Sequence, residues 1–171
     1  MEAICSLALF LGLRRQEIYT LSLDALHPDN AYVVVDGKRE DHRPKVREVP
    51  YTDAARDAVR AWFRLRRTFN PGHDFTWLSL HYTTRDRPMS FTRFASLLTS
   101  FGPWEYHRLR HTCATERLRA GMPIEKLQHF LGHASIQQTL LYAKIETKDV
   151  IAATEKSDAD FMRAIGRKEA A

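Results

Sequence analysis

Apolar residues fill most of positions 2–11 and stop at Gly12, a pattern that predicts a helix ended by the glycine. A shorter helix is expected from Arg15 to Leu21, with Ile18 and Leu21 on one face. Tyr32-Val33-Val34-Val35 is β-branched and aromatic and predicts a strand. A polar stretch from Asp36-Gly37 through Pro44 follows. Val46 and Val49 then alternate with Arg47 and Glu48, which predicts a return strand ending at Pro50 and so a β-hairpin with a long tip. Thr52 or Asp53 caps the next helix, whose Ala55, Ala58, Val59, Trp62, Phe63 and Leu65 recur at helical spacing up to Arg67. Asn70-Pro71-Gly72 is a turn, and residues 73–89 read as irregular and aromatic-rich. Four more helices are expected: Phe91–Phe101 capped by Ser90, His107–Ala120 stopped by Gly121, one opened by Pro123 and closed at Leu131-Gly132, and one from Ser135 to about Tyr142. The last twenty residues predict a polar helix with a thin apolar stripe of Val150, Ile151, Phe161 and Ile165. The fold class is α+β, mostly helical, with one small antiparallel sheet.

Composition narrows the setting. The 171 residues fit one domain, and 44% apolar with 27% charged is the balance of a soluble chain with a sizeable core. The longest apolar run, Leu7 to Leu11, is about a quarter of a bilayer span. No basic segment precedes it, so no secretory signal is read. Two cysteines, Cys5 and Cys113, make no disulfide framework. These features place the protein in the cytoplasm with no membrane partner. Lys and Arg number 26 against 21 Asp and Glu, and the net charge of +5 favours a polyanionic partner. Arg14, Arg15, Arg64, Arg66, Arg67, Arg108 and Arg110 stand out, because guanidinium forks suit phosphate oxygens. For most of them a solvated helix face is the simpler reading.

Several chemistries lack their signatures. There is no phosphate-binding glycine loop, no GxGxxG and no CxxC. HRLRH at 107–111 and HFLGH at 129–133 each space two histidines as zinc helices do. The first lacks the glutamate of the metalloprotease pattern, and Gly132 interrupts the second. A zinc hydrolase is therefore the most distant reading, and no metal or other cofactor is expected.

His107 and Arg110 sit three apart at the start of one predicted helix, a placement suited to an anionic oxygen. Leu131-Gly132-His133 ends another, and Tyr142 follows nine residues later. This ordered set resembles the tyrosine recombinase (phage integrase) family. LGLRRQEI, ending at Ile18, is similar to the family's first arginine motif, with Arg14 as its arginine and Glu17 as the acidic residue. YHRLRHTCAT at 106–115 resembles its HxxRH motif, and FLGHASIQQTLLYAKI at 130–145 resembles the stretch leading to its tyrosine. The resemblance covers nearly the whole chain.

It implies a tyrosine-recombinase-like catalytic domain acting on double-stranded DNA through a 3′-phosphotyrosyl intermediate, encoded by a bacterium or phage. Tyr142 becomes the nucleophile, Arg14 and Arg110 the phosphate clamp, His107 the candidate base, and His133 a donor to phosphate. Glu17 orients Arg14, with a surface ion pair as the competing reading, and Arg108 belongs to the DNA-facing set. The family's hairpin lysine, the general acid, is Lys38 or Lys45. Lys38, after Gly37, is preferred, and Lys45 is then a backbone contact. The hairpin departs from the short GKGxKxR form by four extra residues. The resemblance also implies that residues 1–171 are one catalytic domain without the family's N-terminal DNA-clamping domain, and that 148–171 form a helical tail joining protomers on DNA. Two other readings stay open: a catalytically idle DNA-binding remnant, and a relaxase like the type IB topoisomerases.

Overall fold

The first helix, α1 (Glu2–Phe10), packs against both α3 (Asp53–Arg67) and α5 (Tyr106–Arg119). The computed structural model describes residues 1–37, 46–69, 72–81, 84, 87–99, 106–143 and 157. Between these helices lie α2 (Arg15–Thr20), the strands β1 (Tyr32–Asp36) and β2 (Val46–Pro50), and α4 (Phe91–Thr99). Beyond α5 come α6 (Ile124–Leu131) and α7 (Ile136–Leu140). The pattern of apolar positions thus placed each of these elements to within about two residues at either end. Phe101 and the long hairpin tip lie outside the described residues, as does the C-terminal tail apart from Ser157. Among the described residues no helix is long and apolar enough to cross a membrane.

The apolar face of each element explains its place. Ala3, Ile4, Leu7 and Ala8 of α1 are buried, together with Ala55, Ala58, Val59 and Trp62 of α3. Leu65, expected to face the core, is exposed instead. The Thr52 hydroxyl accepts the Ala55 N–H and caps α3 as expected. The aromatic stretch before α4 is more ordered than its sequence implied. Leu78 bridges Pro88 antiparallel, and the indole N–H groups of Trp62 and Trp77 donate to the Thr76 and Ile18 carbonyls at 3.1 and 2.7 Å. Those bonds satisfy buried donors and tie the segment to α2 and α3.

The hairpin pairs Val33 with Val49 and Val35 with Arg47. Its inner face is therefore Val33, Val35, Arg47 and Val49, while Val46 is exposed. Val46 and Val49, the two valines that marked this strand in the sequence, thus lie on opposite faces. Side chains alternate with a period of two along a strand, so residues three apart point to opposite faces. A second, smaller core of Ala114, Leu127 and Leu131 lies between α5 and α6, with Phe130 and Tyr142 packed on it.

Candidate active site

Two glycines shape the site. Gly12 ends α1 at φ 61°, and a Cβ there would lie 2.7 Å from a Leu131 methyl. The backbone of 12–13 therefore runs against the end of α6. Two side chains of α5 hold it there: the Tyr106 hydroxyl donates to the Leu13 carbonyl at 2.6 Å, and Arg110 Nη1 donates to the Gly12 carbonyl. Gly132 ends α6 in the left-handed region, φ 65° and ψ 45°, with the His133 N–H returning to the Gln128 carbonyl at 3.1 Å.

The end of α6 carries three successive carbonyls that the helix itself leaves open. Each takes a different arginine. Arg47 Nε donates to Phe130 at 3.2 Å, Arg110 Nη2 to Leu131 at 2.7 Å, and Arg14 Nη2 to Gly132 at 2.9 Å. The negative end of the α6 dipole favours these cations. One carboxylate serves the same cluster. Glu17 accepts both prongs of Arg47 at 2.8 and 2.9 Å, Arg14 Nη1 at 2.9 Å, and the Arg14 backbone N–H at 2.6 Å.

Glu17 is no surface ion pair: only 5% of it is exposed. Burial alone would raise its pKa. The hydrogen bonds and charge of Arg47, then those of Arg14, overcome that effect and hold it at about 2. Arg110 is equally buried, at 5% exposed. Burial, and then the neighbouring charge of Arg14, lower its pKa to about 10. Arg14 stands at the edge, with 36% of its side chain exposed. Beside the cluster opens a cleft of about 580 Å³, lined by Arg14, Arg47, Gln128, Gly132, His133 and Gln138.

His133 is buried behind Gly132, its Nδ1 2.9 Å from the hydroxyl of fully buried Thr139. Burial first, then the charges of Arg110, Arg14 and Arg47, depress its pKa to about 4, against the opposing charge of Glu17. Its ring stacks nearly parallel to Tyr142, 5.9 Å between centroids and 12° between planes. His111 of α5 also meets the Tyr142 ring, edge-on at 4.8 Å. Ser135 caps α7 by accepting the Gln137 N–H, and the Tyr142 N–H donates to the Thr139 carbonyl at 3.0 Å.

Arg14, Glu17, Arg110, His133 and Tyr142 therefore come together from α2, α5 and the chain after α6. His107 stays apart: it is exposed on the first turn of α5, facing the Tyr106 ring at 6.3 Å, and among the described residues no hydrogen bond joins it to the arginines. Arg108 is exposed next to it. Lys38 and Lys45 lie outside the described residues. Sequence reasoning gave no role to Arg47, Thr139 or the second histidine of HRLRH. Arg47 was within reach of the hairpin's alternation, since it lies two residues before inward-facing Val49.

Known proteins share both sequence and shape with this chain. The family model described as "Phage integrase family" matches residues 1–149. The "Tyrosine recombinase XerC" of Erythrobacter litoralis (strain HTCC2594) is 30% identical over 159 residues, covering 92% of this chain and 50% of that protein. The protein of the same name from Neisseria gonorrhoeae (strain ATCC 700825 / FA 1090) is 30% identical over 138 residues, covering 79% and 44%. The chain thus spans about half the length of the curated relatives it matches. A crystal structure of XerA recombinase superposes with a TM-score of 0.72 at 23% identity, over 91% of this chain and 57% of that one. The Tn1549 transposon integrase in complex with a circular intermediate DNA gives 0.71 at 22% identity, over 91% and 57%.

Proposed function

The chain belongs to the phage integrase family, the tyrosine recombinases, and from that premise we propose that it is the catalytic portion of a site-specific recombinase that cleaves and rejoins double-stranded DNA. One observation carries the reading. The guanidinium groups of Arg14, Arg47 and Arg110 converge on the end of α6 with Glu17 as their shared carboxylate, leaving an excess of two positive charges beside a tyrosine. A phosphodiester brings one negative charge to such a place, and more develops on its oxygens during attack. Preorganised donors at low dielectric stabilise that charge without reorganising.

In this scheme Arg14 and Arg110 hold the non-bridging oxygens. His133 presents an Nε2 proton to phosphate, which leaves Nδ1 bare, and Thr139, whose hydroxyl lies 2.9 Å from Nδ1, then donates its hydrogen there. The Tyr142 oxygen attacks phosphorus, its proton passing to a base, for which His107 is the candidate. The bond from phosphorus to the 5′-oxygen breaks, and that oxygen takes a proton from the hairpin lysine, Lys38 in preference to Lys45. The products are a 3′-phosphotyrosyl protein and a 5′-hydroxyl. The new ester conserves the energy of the old one. Another 5′-hydroxyl reverses the step, so the scheme calls on neither nucleotide nor metal. Arg108 and Lys45 contact backbone phosphates. The site of action is cytoplasmic DNA, with residues 1–171 as one catalytic domain and residues 148–171 joining protomers there.

Covalent trapping tests the reading. A pool of nicked duplexes with a randomised core, incubated with the protein in EDTA, should yield a protein–DNA adduct that survives denaturation. Tyr142→Phe should abolish the adduct and leave duplex affinity unchanged, because it removes a single hydroxyl. An adduct that persists in that variant overturns the assignment of the nucleophile.

A further inference from the structure

Arg47 belongs to the hairpin, yet its side chain ends at the centre of the site. It is 5% exposed, and a buried cation is retained only when its charge and its donors are met. Here they are met from two directions. Both of its prongs grip the two oxygens of Glu17, and its Nε reaches back to the Phe130 carbonyl. We propose that Arg47 is a positioning residue: from β2 it fixes Glu17 and the end of α6, and through them the Arg14 clamp and the His133 loop. The inference rests on the recombinase reading and deepens it.

The geometry shows how the effect is passed on. Glu17 Oε1 receives Arg47 Nη1 at 2.8 Å and Arg14 Nη1 at 2.9 Å. Arg14 is thus aimed by a carboxylate that Arg47 itself holds in place. Phe130 is one residue before the carbonyl that takes Arg110, two before the one that takes Arg14, and three before His133. A shift of the α6 end therefore moves every polar group that faces the cleft. Gly132 supplies an independent sign. A Cβ there would lie 2.8 Å from Arg47 Nη1 and 2.9 Å from its Cζ, so the guanidinium occupies the space a side chain would take. Glycine at 132 provides a left-handed turn and a seat for Arg47 together. A lysine in place of Arg47 carries the charge but lacks the planar fork, and cannot reproduce three bonds in two directions.

Arg47→Lys tests the proposal, with the same randomised nicked duplexes and single-turnover trapping. The expected result is a loss of trapping rate of about 10², the cost of a small misplacement of reacting groups. Duplex affinity should stay near that of the unaltered chain, and the rate loss should persist in the folded fraction even where the melting temperature falls. A purely structural role would instead lower the melting temperature and leave the rate of the folded fraction intact. Trapping at the unaltered rate overturns the proposal, as does an affinity that falls in step with trapping. Should Arg47→Lys not fold, Gly132→Ala asks the same question with every charge retained. It displaces the guanidinium, and unchanged trapping in that variant overturns the proposal too. The double variant should trap no more slowly than the slower single one; independent, multiplying losses also overturn it. The recombinase reading fails separately, and carries this inference with it, if the unaltered chain forms no adduct that depends on Tyr142.

Discussion

His133 and Thr139 are joined through Nδ1 and the threonine hydroxyl, 2.9 Å apart and shut off from solvent. A hydroxyl serves Nδ1 as donor or acceptor, and in the proposed reading it donates, which leaves the ring proton on Nε2. Thr139→Val keeps the shape and removes the partner. It should cost about 1–3 kcal/mol of stability, the penalty for an unsatisfied buried polar group, and slow cleavage by about tenfold or more through loss of the tautomer. Thr139→Ser should restore most of the rate. Thermal melts and single-turnover trapping read the two effects separately.

The arginines that cap α6 divide by exposure. Arg14→Ala and Arg110→Ala should each slow trapping by about 10² or more, as the loss of a transition-state donor does. Lysine should rescue Arg110 poorly, because Arg110 bonds two carbonyls, those of Gly12 and Leu131, with separate nitrogens. Arg67, exposed in the last turn of α3, is the control. Arg67→Ala should trap at the unaltered rate, and a loss equal to that of Arg110→Ala would refute the assignment of the clamp.

The general acid can be found by changing the leaving group. A 5′-alkoxide needs a proton, so loss of the donor should cost about 10²- to 10⁴-fold. A 5′-thiolate leaves almost unaided. Lys38→Ala is therefore expected to be slow on ordinary duplexes and fast on a 5′-bridging phosphorothiolate. Lys45→Ala should show the same small defect on both. Sulfur rescue of Lys45→Ala alone would exchange their roles.

What could be read in the sequence was local. Arg14, Arg110, His133 and Tyr142 stand in short stretches with their own punctuation, and periodicity placed the helices that carry them. What those side chains hold was not legible, because their partners are main-chain carbonyls far away in sequence. Every residue has such a carbonyl, and only the packing of α5 against α1 and α6, and of α6 against β2, selects Gly12, Phe130, Leu131 and Gly132. Arg47 was missed for a different reason. A charged residue on a strand reads as solvent-facing, whereas its pairing with inward-facing Val35 places it on the buried face. Thr139 lay inside a recognised motif, and hydroxyls in such stretches are common.

Acid should loosen the site in two stages. His133 ordinarily titrates at 6.5 and is held at about 4, and Glu17 ordinarily at 4.5 and is held at about 2. Both folded values lie below the unfolded ones, so the folded state binds fewer protons as pH falls through either window. The His133 contribution is complete above pH 6.5 and is lost toward 4; that of Glu17 is complete above 4.5 and is lost toward 2. Stability measured by denaturant should therefore decline from pH 6.5 downward and more steeply below 4.5. His133→Gln should flatten the upper limb and leave the lower one.

The bonds at the end of α6 also set an order of events during synthesis. Arg110 meets a carbonyl only 21 positions away, but Arg47 meets one 83 positions away and Arg14 one 118 positions away. Contacts so distant along the chain close late, after the loops between them have paid their entropy. A ribosome-bound chain that ends before α6 already displays its basic residues but has no place in which to gather them. On the proposed reading, the power to cut a phosphodiester arrives only with α6 and the residues after it, so an unfinished chain can touch DNA without breaking it.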